Sequence, residues 1–503
     1  MENLIKKYNT EDLLNAIIVM SADRDQTLTD VNISACEWIA SNTIRNNIYG
    51  SVEFDINAYR EMKQIANKVY EPYIKEIFSD VMNHKNASND KKEDFLKSTM
   101  MRIKNLASRG DAYQFQLMEL AEKFYKPFDL EFLNTLGFSF TCCERVFVYI
   151  YLRYMKVLEG IESDRKRIES IQNHIFKISK LELYQFFSAK EVDRLIECLS
   201  IKPGDSKLNP VQAQDFKPLY SKPLVDYGEY IYLPLPVPVL LNFPKIFHYK
   251  FIAEKIFNKD VVAEYTKNRG DVIESLTSEY LLRLFDNVYI SLEYPPDSRK
   301  FEADITAQSE NTTVFAEAKG KILTLSSLNG DLLSINDDIY KAIGKAYDQA
   351  VRSIEHVENG GLFIEKKETE EKEIVLENTT WKFPLCIMSE NFSSIPSEIY
   401  KHLDIQKEKL IPYAVNIYDL DIITRECISK EEFINYLLFR QINIHKLTTM
   451  DELDYFGYFK HNGLVEIKTD ADDIMAISFT DEFDKKYYNL TIEWFEKFDF
   501  GKK

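Results

Sequence analysis

Apolar residues recur at helical spacing through 58–81, 95–124 and 161–187, which predicts a helical N-terminal part. The polar stretch 83–94, rich in Asn, Ser and Lys, predicts a loop between two of these helices. The run Lys202-Pro203-Gly204-Asp205 breaks the helical pattern. Beyond it, 230–233 is a short aromatic and aliphatic run followed by Pro234, Pro236 and Pro238, which reads as a strand giving way to extended chain and turns. Helices are then predicted from Phe247 toward Tyr265 and over 271–285, where Ile273, Leu276, Tyr280 and Leu284 share one face. The spacing next changes to that of strands, over 288–292, 301–306 and 313–319. A long helix is predicted over 335–357, a solvated charged excursion over 366–373, and further strands over 383–388 and 413–417. Helical spacing returns over 431–438, 451–459 and 483–500.

This order of elements predicts an α-helical recognition or assembly domain over 1–203, an α/β domain over 204–430 and a small helical C-terminal extension over 431–503. A chain of 503 residues fits that division, at roughly two to four domains. Hydrophobic residues make up 45% of it, enough for real cores, and the sparse Gly and Pro (15 each) argue against long disordered stretches. The net charge of -18 argues against a uniformly basic nucleic-acid coat, though not against a locally basic groove, because fields are screened over about 8–10 Å. Six cysteines without a CxxC pair suggest no zinc ribbon, and free thiols in a reducing cytoplasm are expected. No signal-peptide core opens the chain and no apolar run is long enough for a bilayer, so a soluble cytoplasmic protein with no membrane partner is expected. The seven histidines show no paired spacing, and no GxxxxGK[ST] phosphate loop appears.

The chemistry gathers in two strands. In Phe301-Glu-Ala-Asp-Ile-Thr and Val314-Phe-Ala-Glu-Ala-Lys319, residues two apart share a face. Glu317 and Lys319 therefore point one way, while Ala316 and Ala318 face the other and can pack under a helix. A hairpin turning at Ser309-Glu310-Asn311-Thr312 places residue 304 opposite residue 317, and directly opposed residues lie about 4.5–5.5 Å apart on one face. Asp304, Glu317 and Lys319 thus converge. Two carboxylates this close repel unless a divalent cation lies between them, and oxygen ligands suit Mg²⁺ or Mn²⁺. Lys319 would orient or help deprotonate an attacking water, which is what phosphodiester hydrolysis requires. Glu274, at the edge of the apolar stripe of the preceding helix, can reach the same spot directly or through water. The other reading of these residues is a salt-bridged, exposed sheet face and a solvated helix carboxylate.

The order helix-Glu, strand-Asp, strand-Glu-x-Lys resembles the PD-(D/E)XK nuclease superfamily, over roughly residues 270–420. The resemblance implies a restriction-endonuclease-like α/β core carrying a large helical N-terminal domain and a small helical C-terminal region. It implies that Asp304, Glu317 and the carbonyl of Ala318 are metal ligands, that Glu274, as the acidic residue of the first core helix, joins them at the metal, and that Lys319 is the catalytic lysine. Gln349, in Ala346-Tyr-Asp-Gln-Ala, matches a glutamine frequent on the helix after the lysine strand; an incidental surface glutamine fits equally. Ala303 stands where the named motif has proline. The implied activity is Mg²⁺- or Mn²⁺-dependent cleavage of nucleic acid, with DNA favoured. By analogy of fold, the helical addition suggests a bacterial defence or restriction effector, with a homo-oligomer or partner protein engaged through 1–203. A non-catalytic nucleic-acid- or protein-binding protein on the same fold, and a ribonuclease, are the alternatives. Lys321, Lys341, Lys345 and Arg352 flank the site, the last three at offsets 0, 4 and 11 along one helix. They would track a phosphate backbone or serve only as solubilising charges.

Overall fold

The computed structural model describes residues 2–22, 33–69, 71, 75, 89–107, 112–161, 163–205, 218–252, 254–294, 300–367, 370–403, 405, 410–449, 451–468, 475, 476, 479–498 and 500. The chain divides into two compact units. One comprises Met1–Asn86, Arg102–Tyr265 and Asn489–Lys503; the other comprises Ala87–Met101 and Thr266–Tyr488. Among the described residues no helix is long and apolar enough to cross a membrane, and all six cysteines are free.

The first unit is mainly helical, with a small four-stranded sheet. Its division from the second runs after Tyr265, where the sequence pattern alone suggests Pro203. The reason is aromatic packing. The helix Phe243–Ile252 buries Phe243, Phe247 and Phe251 against Phe132 and Phe140, with Phe132 and Phe247 centroids 4.9 Å apart. Phe251 stacks on Tyr265 at 4.3 Å, and Tyr265 stacks on Tyr125. Several local expectations also change. The chain after Tyr230–Tyr232 does not stay extended: Pro236–Leu241 is a helix with its prolines in the first turn, where a missing N–H breaks no intrahelical bond. The pattern over 161–187 is not one helix but Asp164–Gln172 and Lys180–Tyr184, separated by the left-handed residue His174 and the strand Ile178–Ser179. The expected loop over 83–94 is helical from Asn89, within Asn89–Ala107, and 83–88 lie outside the described residues. Of the expected helix over 58–81, Ile56–Val69 is helical; 70, 72–74 and 76–81 lie outside the described residues.

The second unit is built on a mixed seven-stranded sheet. Its strands are β1 (Asn287–Tyr294), β2 (Phe301–Gln308), β3 (Thr312–Lys319), β4 (Phe363–Lys367), β5 (Glu370–Ile374), β6 (Trp381–Met388) and β7 (Tyr413–Asn416), in spatial order β7-β6-β3-β2-β1-β4-β5. β3 pairs antiparallel with β2 and parallel with β6. The charged run over 366–373, expected as a solvated excursion, belongs mostly to the β4–β5 hairpin, whose outward residues are charged as edge strands require. Pro384 is tolerated inside β6 because pairing with β7 begins only at Leu385. A single helix, α1 (Lys259–Leu281), replaces the two expected around residues 265 and 271, and its residues from Thr266 onward belong to this unit. Asn258 marks its start by accepting the amide of Val261 at 2.9 Å.

The expected helix over 335–357 is interrupted. α2 (Leu332–Ile339) and α3 (Lys345–Glu358) are joined by a π turn, Tyr340–Gly344. At Gly344 the Tyr340 ring packs close over the backbone, where an added Cβ would meet its Cδ2 at 2.5 Å and displace the ring. α3 then packs its small residues on the sheet: Ala350 joins a core cluster with Phe315, and Ala346 one with Cys386. Cys386 lies beside Glu317 in the β6–β3 register, and Phe315, two residues before Glu317, shares its face. Helix α3 thereby covers the face from which the Glu317 side chain projects.

Candidate active site

The hairpin has the register its turn implies. Ile305 pairs with Ala316, Thr306 with Phe315, Ala307 with Val314 and Gln308 with Thr313. One more step would pair Asp304 with Glu317, but the ladder stops there. β3 instead continues alongside β6 to the Met388–Lys319 pair. The two strands fork, and acidic side chains fill the fork. The amide of Ala318 donates to Asp304 Oδ2 at 3.0 Å, and the amide of Asp304 donates to Glu317 Oε1 at 3.4 Å. The Ala318 amide is one that a continued β2–β3 ladder would have paired, and the Asp304 amide one that a continued β1–β2 ladder would have paired; carboxylates accept both instead. A strand residue directs its N–H and its C=O to the same neighbour, so the Ala318 carbonyl turns toward the fork as well.

Lys319 Nζ lies 3.0 Å from Asp304 Oδ2 and 3.6 Å from Glu317 Oε2. Asp304 is 8% exposed and Glu317 0%. Glu317 Oε2 is buried and accepts no hydrogen bond. Burial, then the neighbouring Asp304 charge, holds the Glu317 carboxyl well above the usual carboxylate range, against the pull of Lys319. For Lys319, burial disfavours the charged form, but Asp304 and Glu317 outweigh it and keep its pKa above the ordinary lysine value. Glu274 on α1 lies within range of the same field: burial, then Asp304 and Glu302, push its carboxyl up to about 7, with Lys319 opposing.

Asp304, Glu317 and Lys319 therefore meet, with Glu274 beside them. Gln349 lies on α3, the helix that covers the face of Glu317; its carbonyl accepts from Ser353 Oγ, and its side chain makes no hydrogen bond among the described residues. The flanking cations are largely committed elsewhere. Lys321 pairs with Asp338 at 2.8 Å, Lys341 with Asp337 at 2.7 Å, and Arg352 lies over the Phe301 ring at 5.0 Å. The π turn also adds a residue to the helical repeat between Lys341 and Arg352, which shifts their phase from that of one regular helix. The sequence pattern did not single out Glu302, although it stands two residues from Asp304 on β2. Nor did it single out Ser291, whose φ of 54° has no signature in the sequence.

Compared with family models, curated proteins and solved structures, the chain matches none. The chemistry of the site is therefore carried by its own geometry. Among the described residues no group of three or more His, Cys, Asp or Glu side chains is placed to hold a metal ion. Yet the orphaned Glu317 Oε2, the adjoining Asp304 carboxylate and the Ala318 carbonyl form an all-oxygen donor set, which fits a hard divalent cation that keeps several waters.

Glu274 gives the site a pH signature. Its folded pKa is raised, so its contribution to stability is full below about 4.5 and is lost as pH rises through about 7. Glu274→Gln is expected to flatten unfolding free energy against pH across that interval, as read by urea titrations at several pH values. An unchanged slope would mean that Glu274 does not sit in this acidic field.

Proposed function

We propose that this chain is a metal-dependent nuclease of the PD-(D/E)XK type, hydrolysing phosphodiester bonds with DNA as the favoured substrate. One observation supports the reading above others: two buried carboxylates and a lysine meet at a strand fork, with a third carboxylate within electrostatic reach. Asp304, Glu317 and the Ala318 carbonyl would hold Mg²⁺ or Mn²⁺, with Glu274 acting through water. Such an ion, when bound, polarises a phosphoryl oxygen and lowers the pKa of a neighbouring water. Lys319 keeps its proton at Nζ and has three donors to offer. Released from Asp304, it would turn them to the attacking water or to the phosphate. The burial of Glu317 excludes bulk water and strengthens each charge interaction at the fork. The helical unit would serve recognition or assembly, as in a restriction or defence effector.

The test is incubation of the purified protein with plasmid, linear duplex, single-stranded DNA and RNA, in Mg²⁺, Mn²⁺ or EDTA. DNA cleavage that requires the divalent ion is expected. Cleavage of RNA alone would assign a ribonuclease. Binding without cleavage would favour a non-catalytic interaction protein. That second reading draws on the pairing of Lys319 with both carboxylates, which already neutralises part of the site.

A further inference from the structure

Asp304 stands at an interruption of two ladders, not one. On its β3 side the pairing ends at Ile305–Ala316. On its β1 side the antiparallel register runs through Ile290–Ile305, omits Ser291–Asp304, and resumes at Leu292–Ala303. Ser291 is the residue that would face Asp304, and it has a φ of 54°. This is the left-handed region, which non-glycine residues seldom adopt and which in the middle of a strand has a conformational cost. The offset on either side of the gap is unchanged, so no residue has been inserted; the strand bends at one point and continues. The bend falls where the amide of Asp304 leaves the ladder for Glu317 Oε1 and its carboxylate takes the amide of Ala318. A regular extended residue at 291 would let β1 and β2 pair without a break and draw the Asp304 backbone back into the sheet.

We propose that Ser291 is a positioning residue: its left-handed backbone bends β1 opposite Asp304 and so opens the fork in which Asp304 meets Glu317 and Lys319. Its use in catalysis rests on the nuclease reading, whereas the bend itself does not. The backbone carries this role, not the hydroxyl.

Four variants test this. Glycine adopts a positive φ freely, alanine keeps the Cβ without the hydroxyl, and the β-branched valine and threonine resist a positive φ most. Mn²⁺ affinity, read by calorimetry on the full chain, should be unchanged in Ser291→Gly and Ser291→Ala. It should weaken roughly 10–100-fold in Ser291→Val, as for residues that orient metal ligands, while the protein still melts cooperatively. Ser291→Thr repeats the comparison with the hydroxyl present. Full Mn²⁺ affinity in a folded β-branched variant overturns the proposal, as does loss of affinity in Ser291→Ala. If neither β-branched variant folds, Ser291 maintains the fold and not the site, and the proposal also fails. Should wild type bind no Mn²⁺ and cleave nothing, the nuclease reading fails separately. Hydrogen exchange followed by mass spectrometry then decides the geometry: amides of 302–306 and 316–319 should exchange more slowly in Ser291→Val or Ser291→Thr as the ladders close. Unchanged exchange overturns the proposal.

Discussion

Alanine at Asp304, Glu317 or Lys319 is expected to reduce cleavage by about 10³-fold or more, the scale on which groups acting directly on the transition state are felt. On the nuclease reading the three serve one reacting centre, so the triple variant should be little worse than any single one. The variants should differ in stability, however, and the structure says how. Lys319 is the cation between Asp304 and Glu317. Lys319→Ala leaves two buried carboxylates facing each other without a counter-charge, which is strongly destabilising. Lys319→Ala should therefore melt lowest, and Glu317→Ala, which removes a buried charge, should melt higher than Lys319→Ala. Activity and melting temperature measured on the same preparations separate loss of chemistry from loss of fold. A folded single variant with the wild-type rate would remove that residue from the catalytic set.

Glu317→Gln is expected to raise the melting temperature without metal and to remove most of the response to Mn²⁺. Glu317 is fully buried and its carboxyl is held well above the usual range by burial and by Asp304. A raised folded pKa means that its contribution favours the fold below the unfolded value of 4.5 and is lost as pH rises through the folded one. Glutamine preserves the shape and removes a carboxyl whose ionisation burial and Asp304 oppose. Each kcal/mol relieved should raise the melting temperature by roughly 2–4 °C in a unit of this size. The gain should grow with pH. In wild type, Mn²⁺ at a hundred times its Kd should add about 2.7 kcal/mol to stability, and the variant should lose most of this. From the sequence, Asp304→Asn would look equivalent. It is not, because Asp304 Oδ2 receives both Lys319 Nζ and the Ala318 amide, and asparagine would weaken that pairing. A Glu317→Gln protein that melts lower than wild type in EDTA at neutral pH, with its Mn²⁺ shift intact, would mean that no paired-carboxylate site exists.

The parts of this site legible in the sequence are those set by local rules. Strand parity and the position of one turn place Asp304 level with Glu317 and put Lys319 on the same face, because side chains alternate strictly and the turn sets the register. The parts that were not legible depend on tertiary packing or on backbone dihedrals. Residues 204–265 look like the start of the α/β region, yet Phe243, Phe247 and Phe251 complete an aromatic core whose other half lies more than a hundred residues earlier. The π turn moves Lys341 relative to Arg352, a change that apolar spacing does not register. The left-handed φ at Ser291 belongs to a residue type with no preference for it.

The order in which the chain contributes to its units bears on how it is made. Synthesis proceeds from the N-terminus, and domains emerging from a ribosome tend to fold as they appear. Here the first unit includes Asn489–Lys503, so it receives its last segment only after every residue of the sheet unit has been translated. That segment is no loose appendage: Phe495 lies 4.9 Å from Tyr151, and Phe500 lies 5.3 Å from Tyr149. The sheet unit in turn recruits Ala87–Met101 from deep within the helical stretch, burying Met101 in the cluster that holds Ile343 and Cys386. A nascent chain therefore holds early-made segments in reserve for partners translated hundreds of codons later. Any break in translation between those points would leave both units short of a piece.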